Sequence, residues 1–205
     1  MKVLIACEFS GRVRDAFLRL GHDAWSCDII PSDSDNSRHI VGDVRKILKD
    51  GWDLMIGHPP CTYLTVTANR WFKPEVLEKE PNRIQLREDA VQFFLELYNS
   101  PIPRIALENP KGIISTRFRP PDQYVHPFMF GDPVRKMTGL WLKNLGKLVP
   151  TNPVDPEFKR YGPQGYRYET KISNTTKSKR AKLRSITPLG LAEAMADQWS
   201  KNHVP

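Results

Sequence analysis

No apolar run in this 205-residue chain approaches the ~18 residues of a membrane span, and the opening stretch Met1-Lys2-Val3-Leu4-Ile5-Ala6-Cys7 is too short for a secretory leader. A cytoplasmic location is therefore expected. Cysteine is scarce: Cys7, Cys27 and Cys61 are an odd number with no C-x-x-C pair, which argues against a disulfide framework and a zinc site and leaves at least one thiol free to react. There is no internal repeat, no low-complexity tract and no triple glycine spaced for a dinucleotide. Acidic charge is also short, 23 Asp and Glu against 31 Lys and Arg, so a net charge of +8 raises the expectation of a polyanionic partner. With 40% hydrophobic and 26% charged residues, the length and composition fit one soluble domain over residues 1–205.

What is present is an alternation of short apolar runs and amphipathic stretches. Lys2 to Ala6 reads as a strand, Glu8-Phe9-Ser10-Gly11 as a polar turn, and Val13 to Leu20 as a helix stopped at Gly21. Asp23 to Ile30, Ile40 to Val44 and Asp53 to Gly57 give three more strands, with a brief helix over Val44 to Leu48. Tyr63 to Asn82 has no sustained period and reads as a long functional or disordered loop carrying Trp71 and Phe72. A helix over Ile84 to Tyr98 is expected to bury Ile84, Leu86, Ala90, Val91, Phe93, Phe94, Leu95 and Leu97. Ile102 to Leu107 is a fifth strand running into Glu108-Asn109-Pro110, Phe128 to Leu148 a hairpin, and Pro188 to Lys201 a closing helix. The order predicts an α/β fold with a doubly wound, mostly parallel sheet, a C-terminal hairpin and a helix.

Such a sheet gathers the ends of its strands on one rim, where ligands bind. Glu8 to Gly11, Asp28, Asp43, Cys61 and Glu108 fall there, and the first part of that set reads as a nucleoside-cofactor site, although Asp28 would equally cap a turn. In His58-Pro59-Pro60-Cys61 the two prolines fix successive φ angles and preset the direction of the thiol. Cys61 reads as a nucleophile or as a small hydrophobe beneath a turn; Glu108 as a functional carboxylate or a cap; His58 as a strand-end residue or a catalytic one. The basic run Lys171 to Arg184 reads as a solvated loop or as a nucleic-acid contact.

The order Phe9-Ser10-Gly11, Asp28, Gly42-Asp43-Val44, Pro59-Pro60-Cys61 and Glu108-Asn109 resembles the cytosine-5 DNA methyltransferase family, over Lys2 to about Leu142 with a weaker echo in the last helix. The resemblance implies a Rossmann-like fold, S-adenosylmethionine as cofactor and DNA as partner, with no metal, in a bacterial or phage-infected cell. Phe9, Ser10 and Gly11 would line the cofactor with Ile29, Val44 and Pro59 beside them, Asp28 would hold its ribose, and Asp43 would meet the adenine. Cys61 would attack C6 of cytosine and Glu108 would face N3, with Arg70 or His58 favouring the thiolate, and Trp71 or Phe72 would fill the space left by the base or simply pack the loop onto the core.

Two departures stand out. Gly131 and Pro133 match the family, but Val134, Lys136 and Thr138 stand where it carries Gln-x-Arg-x-Arg, so Lys136 keeps a charge without the guanidinium fork. The span 113–185 reads as an irregular basic insert in place of a target-recognition domain, with Tyr161, Tyr166 and Tyr168 for stacking, which predicts relaxed or very short sequence specificity. RNA or a free cytosine nucleotide as substrate, a catalytically silent DNA-binding relative, and an unrelated nucleotide-binding α/β protein remain as alternatives.

Overall fold

The computed structural model describes residues 1–156, 159–160, 166–167 and 182–201. Its centre is a seven-stranded sheet in the order β3-β2-β1-β4-β5-β7-β6, formed by β1 (Lys2–Ala6), β2 (Asp23–Asp28), β3 (His39–Val41), β4 (Leu54–Gly57), β5 (Arg104–Pro110), β6 (Gln123–Val125) and β7 (Thr138–Lys143). The first five strands pair in parallel, and β7 runs antiparallel between β5 and β6. The order reverses between β1 and β4, which opens a crevice at their carboxyl ends.

The central strands read as unbroken apolar runs because both faces are covered. Val3, Ile5, Leu54 and Ile56 face the layer of α1 (Arg12–Arg19) and the last helix, whereas Leu4, Ala6 and Met55 face Val91, Phe94 and Leu97 of the long helix α3 (Arg83–Tyr98). Alternation at period two sends neighbouring residues to opposite layers. The last helix, α5 (Leu189–Ser200), packs against α1 through Leu191, Met195 and Trp199. Its Gly190 is required by close approach, since a Cβ there would lie 1.7 Å from the Phe130 carbonyl oxygen.

Several expectations shift. The hairpin expected over 128–148 is not formed within that span: Pro127, Pro133 and the left-handed Gly131 (φ 91°) interrupt it, and the antiparallel partners of β7 are β5 and β6. Strand β5 extends to Pro110 because β7 pairs opposite its end, Glu108 with Leu140 and Asn109 with Gly139, so Glu108 lies within the strand and not after it. Ile84 and Leu86 of α3 are exposed, since the first turns of that helix overhang the sheet's edge layer. The span 63–82 contains a 3₁₀ helix, Val66–Phe72, with Thr65 Oγ1 accepting from Ala68 N at 3.2 Å, and a helical turn, α2 (Pro74–Leu77). The span 113–127 holds a second such turn, α4 (Ile114–Arg117), and β6. Lys159–Arg160 and Tyr166–Arg167 pair as two short antiparallel strands, β8 and β9. Lys171 to Ala181, Tyr161 and Tyr168 lie outside the described residues.

Candidate active site

The first half of the rim is acidic, and its carboxylates are held by backbone. Glu8 is buried. Its Oε1 accepts from Val13 N at 2.8 Å and from Ser10 Oγ at 3.1 Å, and its Oε2 from Arg14 N at 3.2 Å. These are the unpaired donors at the start of α1, so a carboxylate of the chain already closes the helix end that would otherwise receive a phosphate. Gly11 precedes the helix at φ 73°, where a Cβ would meet Ser34 Oγ at 2.2 Å. Asp28 ends β2 half-buried; burial raises its pKa even though backbone N–H groups of Ile30 and Ile29 stabilise the charge. Asp43 caps the turn Val44–Ile47, accepting from Arg45 N at 3.0 Å. Ile29, 78% exposed, offers an apolar surface beside these carboxylates, while Phe9, Val44 and Pro59 are buried. Phe9 lies under Lys182, whose Nζ is 5.0 Å from its ring and 2.5 Å from Asp33 Oδ1.

Cys7, at the end of β1, also belongs to this rim. It adopts a left-handed conformation (φ 58°), and burial, then Asp28, Cys27 and Asp43, keep its thiol firmly protonated.

The second half of the rim mixes charges. His58 N continues the ladder to Ala6 O at 2.9 Å, and the buried Asn109 donates from Nδ2 to Pro59 O at 2.9 Å, pinning the proline turn to β5. After the turn, Leu64 N and Thr65 N return to Cys61 O at 3.0 and 3.2 Å. Cys61 is half-buried. Burial and the Glu108 carboxylate push its thiol up, and Lys136, a backbone N–H and Arg184 oppose them without prevailing, so the resting residue is a thiol. The cations acting on it are thus Lys136 and Arg184, whereas the expected Arg70 stacks on Trp71 at 4.9 Å.

Glu108 behaves in the opposite sense. Burial disfavours its charge, but Lys136, His58 and Thr138 outweigh burial and hold the carboxyl down at about 2. His58 Nδ1 lies 3.5 Å from Glu108 Oε2. Lys136 Nζ donates to Arg184 O at 3.0 Å, tying the entry of β7 to the segment before α5. His58, Glu108, Lys136 and Thr138 form one wall of a narrow pocket closed by Thr187, Pro188 and Leu191. Cys61 is not part of that wall; its thiol senses Glu108 and Lys136 from the adjoining turn.

In the long loop, Trp71 is 42% exposed and Phe72 is covered by Arg87 at 3.2 Å, with Arg87 also donating to Tyr63 O at 3.0 Å. Phe72 is therefore engaged in packing, and Trp71 is the aromatic left at the surface. Thr187, which lines this pocket, is marked by no local pattern in the sequence; Thr138 is visible there only as a departure from the family pattern, and His58 by its position directly before the prolines of the Cys61 turn. Among the described residues no group of three or more His, Cys, Asp or Glu is placed to hold a metal ion, and no helix is long and apolar enough to cross a membrane.

The seven-stranded mixed sheet, with its order reversing between β1 and β4, is the doubly wound, mostly parallel α/β fold expected from the sequence. No family model matches the chain, and no curated protein matches it. A solved structure that resembles it is an E. coli protein provisionally described as a DNA modification methyltransferase encoded within a prophage, with 18% sequence identity and a TM-score of 0.45. The match covers 75% of this chain and 52% of the other, so this chain spans about half of that protein's length.

Proposed function

We propose that this protein transfers a methyl group from S-adenosylmethionine to C5 of cytosine in DNA, through a covalent Cys61 adduct at C6. The observation that carries the reading is the pairing of an acid-lined crevice, closed to phosphate by Glu8, with a proline-set thiol that interacts with a largely covered, ionised Glu108. A nucleotide cofactor would bring its phosphates onto an occupied helix end among Glu8, Asp28 and Asp43. A nucleoside bearing a sulfonium has no such conflict: Asp28 is free to accept from ribose hydroxyls, the remaining oxygen of Asp43 from an adenine amine, and Ile29 offers the ring an apolar face. The cofactor supplies an electrophilic methyl group.

The residues of the second half supply the rest. C5 of cytosine becomes nucleophilic only after a thiolate adds to C6. In the free protein Glu108 raises the thiol's pKa, so the two groups hold each other in the resting state. When Glu108 shares a proton with N3 of the base its charge is neutralised, the opposition ends, and Lys136 and Arg184 then favour the Cys61 thiolate, the thiol proton passing to water. After methylation C5 loses its proton to water and the S–C6 bond breaks, regenerating the thiolate. Lys136 is suited to the O2 side of the base as a point charge. The net charge of +8 fits a DNA backbone, and with 113–185 in place of a recognition domain the specificity is relaxed or very short.

Labelled S-adenosylmethionine offered with duplex DNA, RNA or dCMP tests the substrate: label is expected in DNA cytosine alone. Duplex containing 5-fluorocytosine is expected to trap a covalent complex, visible as a mass increase, which Cys61→Ser abolishes. Transfer that survives Cys61→Ser would remove the adduct from the reading.

A further inference from the structure

We propose that His58 is the proton partner of Glu108, its Nδ1–H supplying the proton that Glu108 passes to N3 of the cytosine as Cys61 adds to C6. The inference rests on the function proposed above and deepens it at the same site. Three observations support it. The His58 side chain is only 9% exposed and its Nδ1 is 3.5 Å from Glu108 Oε2, near enough to close into a hydrogen bond when the pocket fills. His58 Nε2 is buried without a hydrogen-bond partner among the described residues, on a side chain that lines the same pocket as Glu108. A polar atom left bare in that position is one that an incoming group satisfies.

The third observation is the state of Glu108 itself. Its carboxyl is held ionised, at about 2, so in the resting site it has no proton to give. The charged and titratable groups around His58 are Glu108 on β5, Lys136 at the entry to β7, Cys61 on its own turn and Arg184 beyond Lys136. Lys136 is committed to the Arg184 carbonyl, Cys61 stands outside the pocket wall, and the Thr138 hydroxyl that also bonds Glu108 is not an acid, which leaves the imidazole as the proton donor in contact.

The proton count closes. As the thiolate forms its bond to C6, the C5=C6 π electrons move towards C4 and N3. N3 takes a proton from Glu108, Glu108 takes one from His58 Nδ1, and the bare Nε2 takes up, through water, the proton that the Cys61 thiol releases, so the imidazole stays neutral. After C5 has gained its methyl group and lost its own proton to water, the S–C6 bond breaks and N3 returns its proton to Glu108 and His58. No other oxidant, reductant or donor is needed.

His58→Asn retains an N–H at the place of Nδ1 but cannot titrate. It is expected to bind S-adenosylmethionine within about twofold of wild type and to methylate DNA roughly 100-fold more slowly in a single turnover, the scale of one acid–base group. In ¹⁵N-histidine spectra of the free protein, the neutral form of His58 should carry its proton on Nδ1. A wild-type rate in His58→Asn, or an Nε2–H tautomer in the free protein, would overturn the proposal while leaving methyl transfer intact. If wild-type protein transfers no methyl group to cytosine, the parent reading fails and this one falls with it.

Discussion

The two halves of the rim are built from opposite materials. On the side proposed for the cofactor, Glu8, Asp28 and Asp43 are each held by backbone N–H groups within six residues of themselves, so their positions form with their own strands and turns. On the side proposed for the base, His58, Glu108, Lys136 and Thr187 come from four separate segments, and the charge of Glu108 is held by Lys136, His58 and Thr138 from across them. Local construction yields a site that binds. Assembly from distant segments yields one whose charge states are coupled, so that filling the pocket changes what its neighbours can do.

The largest effect expected from breaking that contrast is at Glu108. Glu108→Gln should lower single-turnover methyl transfer by about 10³-fold, at the middle of the range for an acid–base group, with cofactor affinity nearly unchanged; a matching loss of cofactor affinity would show the halves to be one site. The same variant sharpens the comparison by pH. The carboxyl of Glu108 is lowered from an ordinary 4.5 to about 2, so its stabilising contribution is full above the ordinary value and is lost as pH falls towards the lower one. Wild type should lose thermal stability across that window more steeply than Glu108→Gln.

Asp28→Ala should act on the other half alone, raising the S-adenosylmethionine Kd by about 10- to 100-fold, the ~1.4 to 2.7 kcal/mol of a charge-assisted hydrogen bond, and leaving the rate at saturation unchanged. Because burial raises the pKa of Asp28, cofactor binding should weaken on acidification earlier than it would with an ordinary aspartate, a trend absent in the variant. The smallest effect is expected from Lys182→Ala. It removes an exposed ion pair with Asp33 and a cation over Phe9, worth under ~1 kcal/mol, and should shift the cofactor Kd by about twofold.

The same contrast explains what the sequence reveals. Strands β1 and β4 are legible because burial on both faces writes them as unbroken apolar runs, and Asp28, Cys61 and Asp43 follow from where those runs and their neighbours stop. Placing β7 between β5 and β6 is not legible, because strand adjacency across the chain leaves no local period. Glu108 is recognised as a rim residue, yet its ionised state depends on Lys136, His58 and Thr138, which packing alone brings near. The exposed Ile84 and Leu86 show the converse: an apolar residue in a helical window is assigned to a core that the helix reaches only from Val91 onwards.

One feature of the chain's course sets how this scaffold tolerates change. Asn152 returns to pair with Phe130, and the backbone rejoins the main body at Thr187, where the carbonyl accepts from Arg12 Nη1 at 3.2 Å. Thr187 lines the pocket of His58 and Glu108, and Phe130 lies against the start of α5, where its carbonyl meets Gly190, so both ends of the intervening span are fixed to the same part of the fold. Closing a longer excursion costs only about 0.6 kcal/mol per doubling. On the function proposed above, sequence preference would depend on what is spliced between these two posts, and would be exchangeable while the pocket of Glu108 stays as it is.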